Sequence, residues 1–156
     1  RRAMEVFFYH LERRGLDDTL PELLERTLAR GWRALVRTGS DERARALDSQ
    51  LWTYSEESFL PHGLAREPNP QEQPILLGDS VERINGADAL FLVDGAQPGD
   101  WGQLRDQGYA RTVLIFDGRD PDAVAAAREQ WKAVKAAGLS AQYWQQSQAG
   151  KWEKKA

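Results

Sequence analysis

Short apolar runs alternate along this chain with polar stretches that carry helical spacing. Val6-Phe7-Phe8-Tyr9 is an unbroken apolar run rich in aromatic and β-branched residues, the pattern of a strand buried on both faces. Thr19-Leu20-Pro21-Glu22 has the form of a capping box, with Thr19 as N-cap and Glu22 three residues on. Leu20, Leu23, Leu24 and Leu28 follow at helical steps, and Gly31 predicts the end of that helix. Ala34-Leu35-Val36 reads as a second strand, closed by Gly39-Ser40. Ser40 is placed to cap a second helix that opens with Asp41-Glu42, where negative charge suits the helix dipole, and Leu47 and Leu51 form its core side.

Residues 53–74 break this rhythm. Pro61, Pro68, Pro70 and Pro74 fall there among few apolar residues, so the stretch reads as a loop anchored by Trp52, Phe59 and Leu60. Strands are then predicted at Ile75-Leu76-Leu77, at Ala89 to Val93 and at Thr112 to Phe116. Asp120-Pro121 marks a helix start, with Asp120 as N-cap and proline in the first turn. That helix should run to about Ala137, with Gly138 just past its end. Tyr143-Trp144 suggests one more short strand.

Strands alternating with helices argue for an α/β fold: a single three-layer domain with a mainly parallel central sheet, Rossmann-like in outline. One domain over 1–156 is expected, with a core of about 4–144 and a polar, lysine-rich tail over 145–156 that should fray. No stretch of about 18 apolar residues is present, so no membrane-spanning helix is expected and a cytoplasmic protein is.

Composition narrows the chemistry. The chain has no cysteine and two histidines, His10 and His62, which excludes disulfides, thiolate metal sites and thiol nucleophiles. With 21 Lys and Arg against 24 Asp and Glu, the net charge is −3. A protein that coats nucleic acid usually carries a basic excess, so nucleic-acid contact is expected to be indirect or confined to a small patch. Phosphate motifs are missing too. His10-Leu11-Glu12-Arg13-Arg14-Gly15 stands where a dinucleotide fold would carry Gly-x-Gly-x-x-Gly, and there is no Gly-Lys-Ser/Thr. No cofactor and no metal are therefore expected. His62 lies near Ser58, Glu56 and Glu57, but proximity in a proline-bounded loop is poor evidence for a triad. A histidine that holds the loop by a hydrogen bond is the plainer reading.

The last long helix holds the most informative pattern. Val124, Ala127, Trp131 and Val134 share one face, while Arg128, Lys132 and Lys135 share a neighbouring one. An ordinary solvated cationic face would look the same. The functional alternative is a small site for an anionic peptide, in which cations take carboxylates and an apolar notch takes a side chain.

Several blocks carry a resemblance. Leu47-Asp48-Ser49-Gln50-Leu51-Trp52 and Glu57-Ser58-Phe59-Leu60-Pro61-His62-Gly63-Leu64-Ala65 are similar to the signature region of the chi subunit family of bacterial DNA polymerase III. Ala127 to Leu139 resembles the last helix of that family, and Val6-Phe7-Phe8-Tyr9-His10-Leu11 its first strand. The resemblance implies a non-catalytic accessory subunit of the clamp loader. Its implied partners are the acidic C-terminal tail of single-stranded DNA-binding protein, which ends in phenylalanine, and the clamp loader, reached through the psi subunit. It implies that Arg128 and Lys132 receive tail carboxylates and that Trp131 lines the pocket for the terminal phenylalanine. Phe59, Trp52 and Phe116 would be nearby apolar walls, with Lys135 adding longer-range attraction. Two alternatives remain: a small α/β enzyme using the Gly95–Gly102 loop, and direct binding of single-stranded DNA through the Arg128 face.

Overall fold

The structure, a computed structural model, describes residues 3–53 and 60–156. Strand β1 (Glu5–Leu11) leads through helix α1 (Leu16–Ala29) to β2 (Ala34–Arg37) and helix α2 (Asp41–Thr53). Then come β3 (His62–Leu64), a 3₁₀ turn (Pro70–Glu72), β4 (Ile75–Gly78) and β5 (Ala89–Leu92). Helix α3 (Trp101–Asp106), β6 (Arg111–Asp117), helix α4 (Pro121–Ala136), β7 (Ser140–Gln146) and β8 (Trp152–Lys154) complete the chain. The strands form one sheet in the order β3-β4-β2-β5-β6-β1-β7-β8. Every pairing is parallel except β7 with β8. The fold is thus the expected α/β domain with a mainly parallel sheet between helices.

Alternation along the strands builds two cores. Val6 and Phe8 of β1, with Leu35, Leu76 and Leu90, join Trp101, Leu104, Ala127 and Val134 from α3 and α4. Ala34, Val36, Ile75, Leu77 and Phe91 face the other way, onto Leu20, Leu24, Leu47 and Leu51 of α1 and α2. Two helices therefore cover each face.

Five expectations are corrected. The first helix starts at Leu16, not at a Thr19 cap, with Gly15 as N-cap. The Gly15 carbonyl accepts from the N–H groups of Asp18 and Thr19, and Glu22 turns to Arg14 at 2.6 Å instead of closing a capping box. Thr19 ends up buried, and Pro21 lies inside the helix. Second, the 53–74 loop contains the edge strand β3, whose His62, Gly63 and Leu64 are all buried. Third, the glycine-bearing stretch after β5 contains α3, capped by Asp100, which accepts from the Gln103 N–H. Fourth, the stretch expected to fray contributes the end of β7 and all of β8. The strand predicted for both-sided burial is also asymmetric: Val6 and Phe8 are fully buried, whereas Phe7 and Tyr9 are only partly so.

Candidate functional site

Helix α4 begins as its sequence predicts. Asp120 accepts from the Asp122 N–H at 3.0 Å, and Pro121 occupies the first turn, where its missing N–H costs nothing. The buried residues Ala127 and Val134 pin the helix to the sheet, and this phase places Trp131 at the edge of the contact. The half-buried indole meets Phe8 edge-on at 5.3 Å and Tyr143 at 5.9 Å. Phe8 and Tyr143 are register partners on β1 and β7, so the sheet sets one beside the other as a floor.

A polar chain runs beneath this floor. The Tyr143 hydroxyl lies 2.7 Å from His10 Nδ1, and His10 Nε2 lies 2.6 Å from a Glu12 carboxylate oxygen. His10 also packs on Phe116, with centroids 5.0 Å apart, and Phe116 reaches Tyr143 at 6.1 Å. Burial pushes the Tyr143 hydroxyl up from its ordinary value of 10.0, while the nearby Arg128 guanidinium pulls against that. Arg128 is exposed and makes no ion pair among the described residues. Lys132 pairs with Glu129 at 3.4 Å, fully at the surface, and Lys135 stands 5.5 Å from the Trp131 ring centroid. The arrangement is an aromatic notch with a cationic rim. It can hold an apolar side chain and meet a carboxylate.

The structure thus brings together Arg128, Trp131, Lys132, Lys135 and Phe116, the last as a buried floor residue. Trp52 is not part of this group. It lies on α2, which packs on β3 and β4, while α4 packs on β6 and β7, across the sheet and toward its other edge. Its ring sits 4.5 Å from that of His62. Phe59 lies outside the described residues, as do Ser58, Glu56 and Glu57. His62 itself is a structural histidine: Nδ1 lies 2.6 Å from the Leu60 carbonyl, and Nε2 lies 3.2 Å from the Asp48 carboxylate. Sequence reasoning missed His10, Phe8 and Tyr143. Each falls on an expected strand, but a strand pattern alone does not tell which face meets α4.

A second concavity opens at the carboxyl ends of β1, β5 and β6, the usual ligand position in such sheets. Its volume is about 660 Å³, and Leu11, Gly95, Phe116, Asp120 and Gln130 are among its walls. Its two arginines are already engaged, Arg43 with Asp94 at 3.1 Å and Arg119 with Asp117 at 3.2 Å. The Arg119 N–H and guanidinium hold the Asp117 carboxyl below its ordinary range.

The loop after β1, where a nucleotide-binding fold would seat a phosphate, is filled from within. The backbone N–H groups of Glu12, Arg13 and Arg14 all donate to Gln146 Oε1, at 3.0, 3.0 and 3.1 Å. A side-chain amide from β7 thus occupies the cradle that an anion would take.

Comparison with known proteins decides the family. The family model described as DNA polymerase III chi subunit, HolC, matches residues 4–142. The chain belongs to this family. A probable DNA polymerase III subunit chi of Rickettsia prowazekii is 25% identical over 119 residues, covering 74% of this chain and 72% of the relative. A DNA polymerase III subunit chi of Pseudomonas aeruginosa is 30% identical over 77 residues, 49% of this chain and 53% of that relative. Chi is an accessory, non-catalytic subunit in DNA replication. Among the described residues no helix is long and apolar enough to cross a membrane, and no cluster of acidic and histidine side chains could hold a metal ion.

Proposed function

We propose that this chi-family protein binds the acidic C-terminal tail of single-stranded DNA-binding protein at α4, and so links it to the clamp loader, with psi as the bridging subunit. The observation that carries this reading is the half-buried Trp131 on its Phe8–Tyr143 floor, with Arg128, which makes no ion pair among the described residues, beside it. A terminal phenylalanine has an apolar ring and a free carboxylate a few ångströms apart. The notch takes the ring, and Arg128 takes the carboxylate in a charge-assisted pair. Lys132 and Lys135 attract the preceding aspartates, and this part of the attraction fades with salt.

The test is fluorescence anisotropy of a labelled acidic peptide ending in Pro-Phe, with a control peptide lacking the phenylalanine. Binding that needs the phenylalanine is expected. Arg128→Glu should weaken it by about 2–3 kcal/mol, because a bond is replaced by repulsion at an exposed position. Circular dichroism should show an unchanged thermal midpoint. Peptide affinity that survives Arg128→Glu assigns the tail to another surface.

A further inference from the structure

We infer that a second surface, on the opposite face of the sheet, binds single-stranded nucleic acid. On the α1/α2 side α1 packs chiefly on β2 and β6, and β1, β7 and β8 lie beyond it toward the edge of the sheet. Phe7 and Tyr9 of β1 face that way and are only half-buried. Register adds the rest: Tyr9 stands beside Trp144, and Trp144 beside Lys154. Trp152 meets the Tyr9 ring edge-on at 4.9 Å. A row of aromatic rings therefore runs across three strands on an open sheet, the geometry on which unpaired bases stack.

Arginines line the inner end of this row. Arg30 lies 4.1 Å over the Trp32 ring, and Arg111 lies 4.2 Å over Phe7 and 5.3 Å from Trp32. Arg26 joins them around a pocket of about 400 Å³ floored by Ala89, Phe91 and Val113. Arg26 and Arg30 are exposed and form no ion pair among the described residues; Arg111 is shared only with Glu5 at 3.4 Å. Among the described residues the buried Arg111 Nε–H has no acceptor, and the exposed guanidiniums of Arg26 and Arg30 are the groups placed to meet phosphate. Guanidiniums interleaved with aromatic rings match alternating phosphates and bases. The pocket takes one nucleotide unit, and the Tyr9–Trp152–Trp144 row extends past it, so the occupant is a strand and not a free nucleotide. The net charge of −3 does not oppose this, because the cations are gathered on one patch.

The experiment uses the whole chain and a labelled oligothymidylate of about 15 nucleotides, titrated by anisotropy at low salt. Binding with a clear salt slope is expected. The double variant Arg26→Glu/Arg30→Glu should lose about tenfold or more, with a slope lower by about 1.4 for two lost phosphates. Both residues are exposed, so an unchanged thermal midpoint verifies folding. Competition by thymidine monophosphate should be far weaker than by unlabelled strand. The inference fails if no strand binds at low salt, or if binding is indifferent to the double variant. It fails equally if binding is lost in Arg128→Glu alone, which moves it to the α4 face. Equal affinity for the mononucleotide overturns the strand in favour of a small-ligand pocket. An acidic peptide bound at this patch while the strand is ignored overturns it in favour of a protein partner.

Discussion

Gln146 shows how one side chain can settle what a loop does. Its Oε1 satisfies three successive backbone donors after β1, and the residue is 3% exposed. Gln146→Ala leaves those part-buried donors without their acceptor and should cost about 1–3 kcal/mol in urea unfolding. Gln146→Glu should recover most of that loss at neutral pH, since a carboxylate is a stronger acceptor for converging N–H groups. Failure of glutamate to recover any stability would show that packing, not hydrogen bonding, is what Gln146 contributes. The same cradle was visible in the sequence only as a missing glycine motif. The residue that fills it lies more than a hundred positions away, and no local pattern pairs the two.

At the level of elements, the turn between β6 and α4 joins the floor of the notch to its wall. A β-carbon on Gly118 would come within 1.9 Å of His10 Nε2 and 2.6 Å of the Leu11 carbonyl. Gly118→Ala must therefore push His10 away from Tyr143 or shift the turn. An overpacking cost of about 1–3 kcal/mol is expected, together with weakened binding of the tail peptide. Unchanged affinity in a folded Gly118→Ala protein would separate the notch from the His10–Tyr143 contact. The elements themselves were largely legible: the Asp120-Pro121 start and Gly138 stop of α4 are where the sequence put them, because capping is a local interaction. The β3 strand was not legible. Three residues among prolines carry no period, and what makes them a strand is the open edge of β4 beside them.

At the scale of the whole molecule, ion pairs at the ends of its elements shape the response to acid. Hydrogen bonding to Arg14 holds the Glu22 carboxyl below its ordinary value of 4.5, and Arg119 lowers Asp117 below 3.8. A depressed carboxyl contributes stability that is present above its unfolded value and is lost as pH falls through its folded value. The urea midpoint should hold near neutrality and drop as pH goes from about 5 to about 3. Part of that drop should be absent in Glu22→Gln. Both groups are well exposed, at 42% and 46%, so the effect is a modest shift in midpoint. An acid slope identical in the two proteins would show that the pair contributes nothing. The two proposed surfaces lie on opposite faces, so charge reversal at Arg128 and at Arg26 with Arg30 should act independently on their own ligands.

Local pattern along the chain was enough for the fold class, the strand and helix order of most of the chain, the cationic face of α4 and the family. Each of these follows from short-range periodicity, local capping or a contiguous signature. Which of those residues meet depends on the folded sheet. It set Trp131 on Phe8 and Tyr143, placed Trp52 with His62 on the far side of the sheet, closed the β1 loop with Gln146 and bared the aromatic row of β1, β7 and β8. Those outcomes depend on strand order and on which face each helix covers. Both are settled by burying apolar area over the whole sheet, an energy that no stretch of the chain carries on its own.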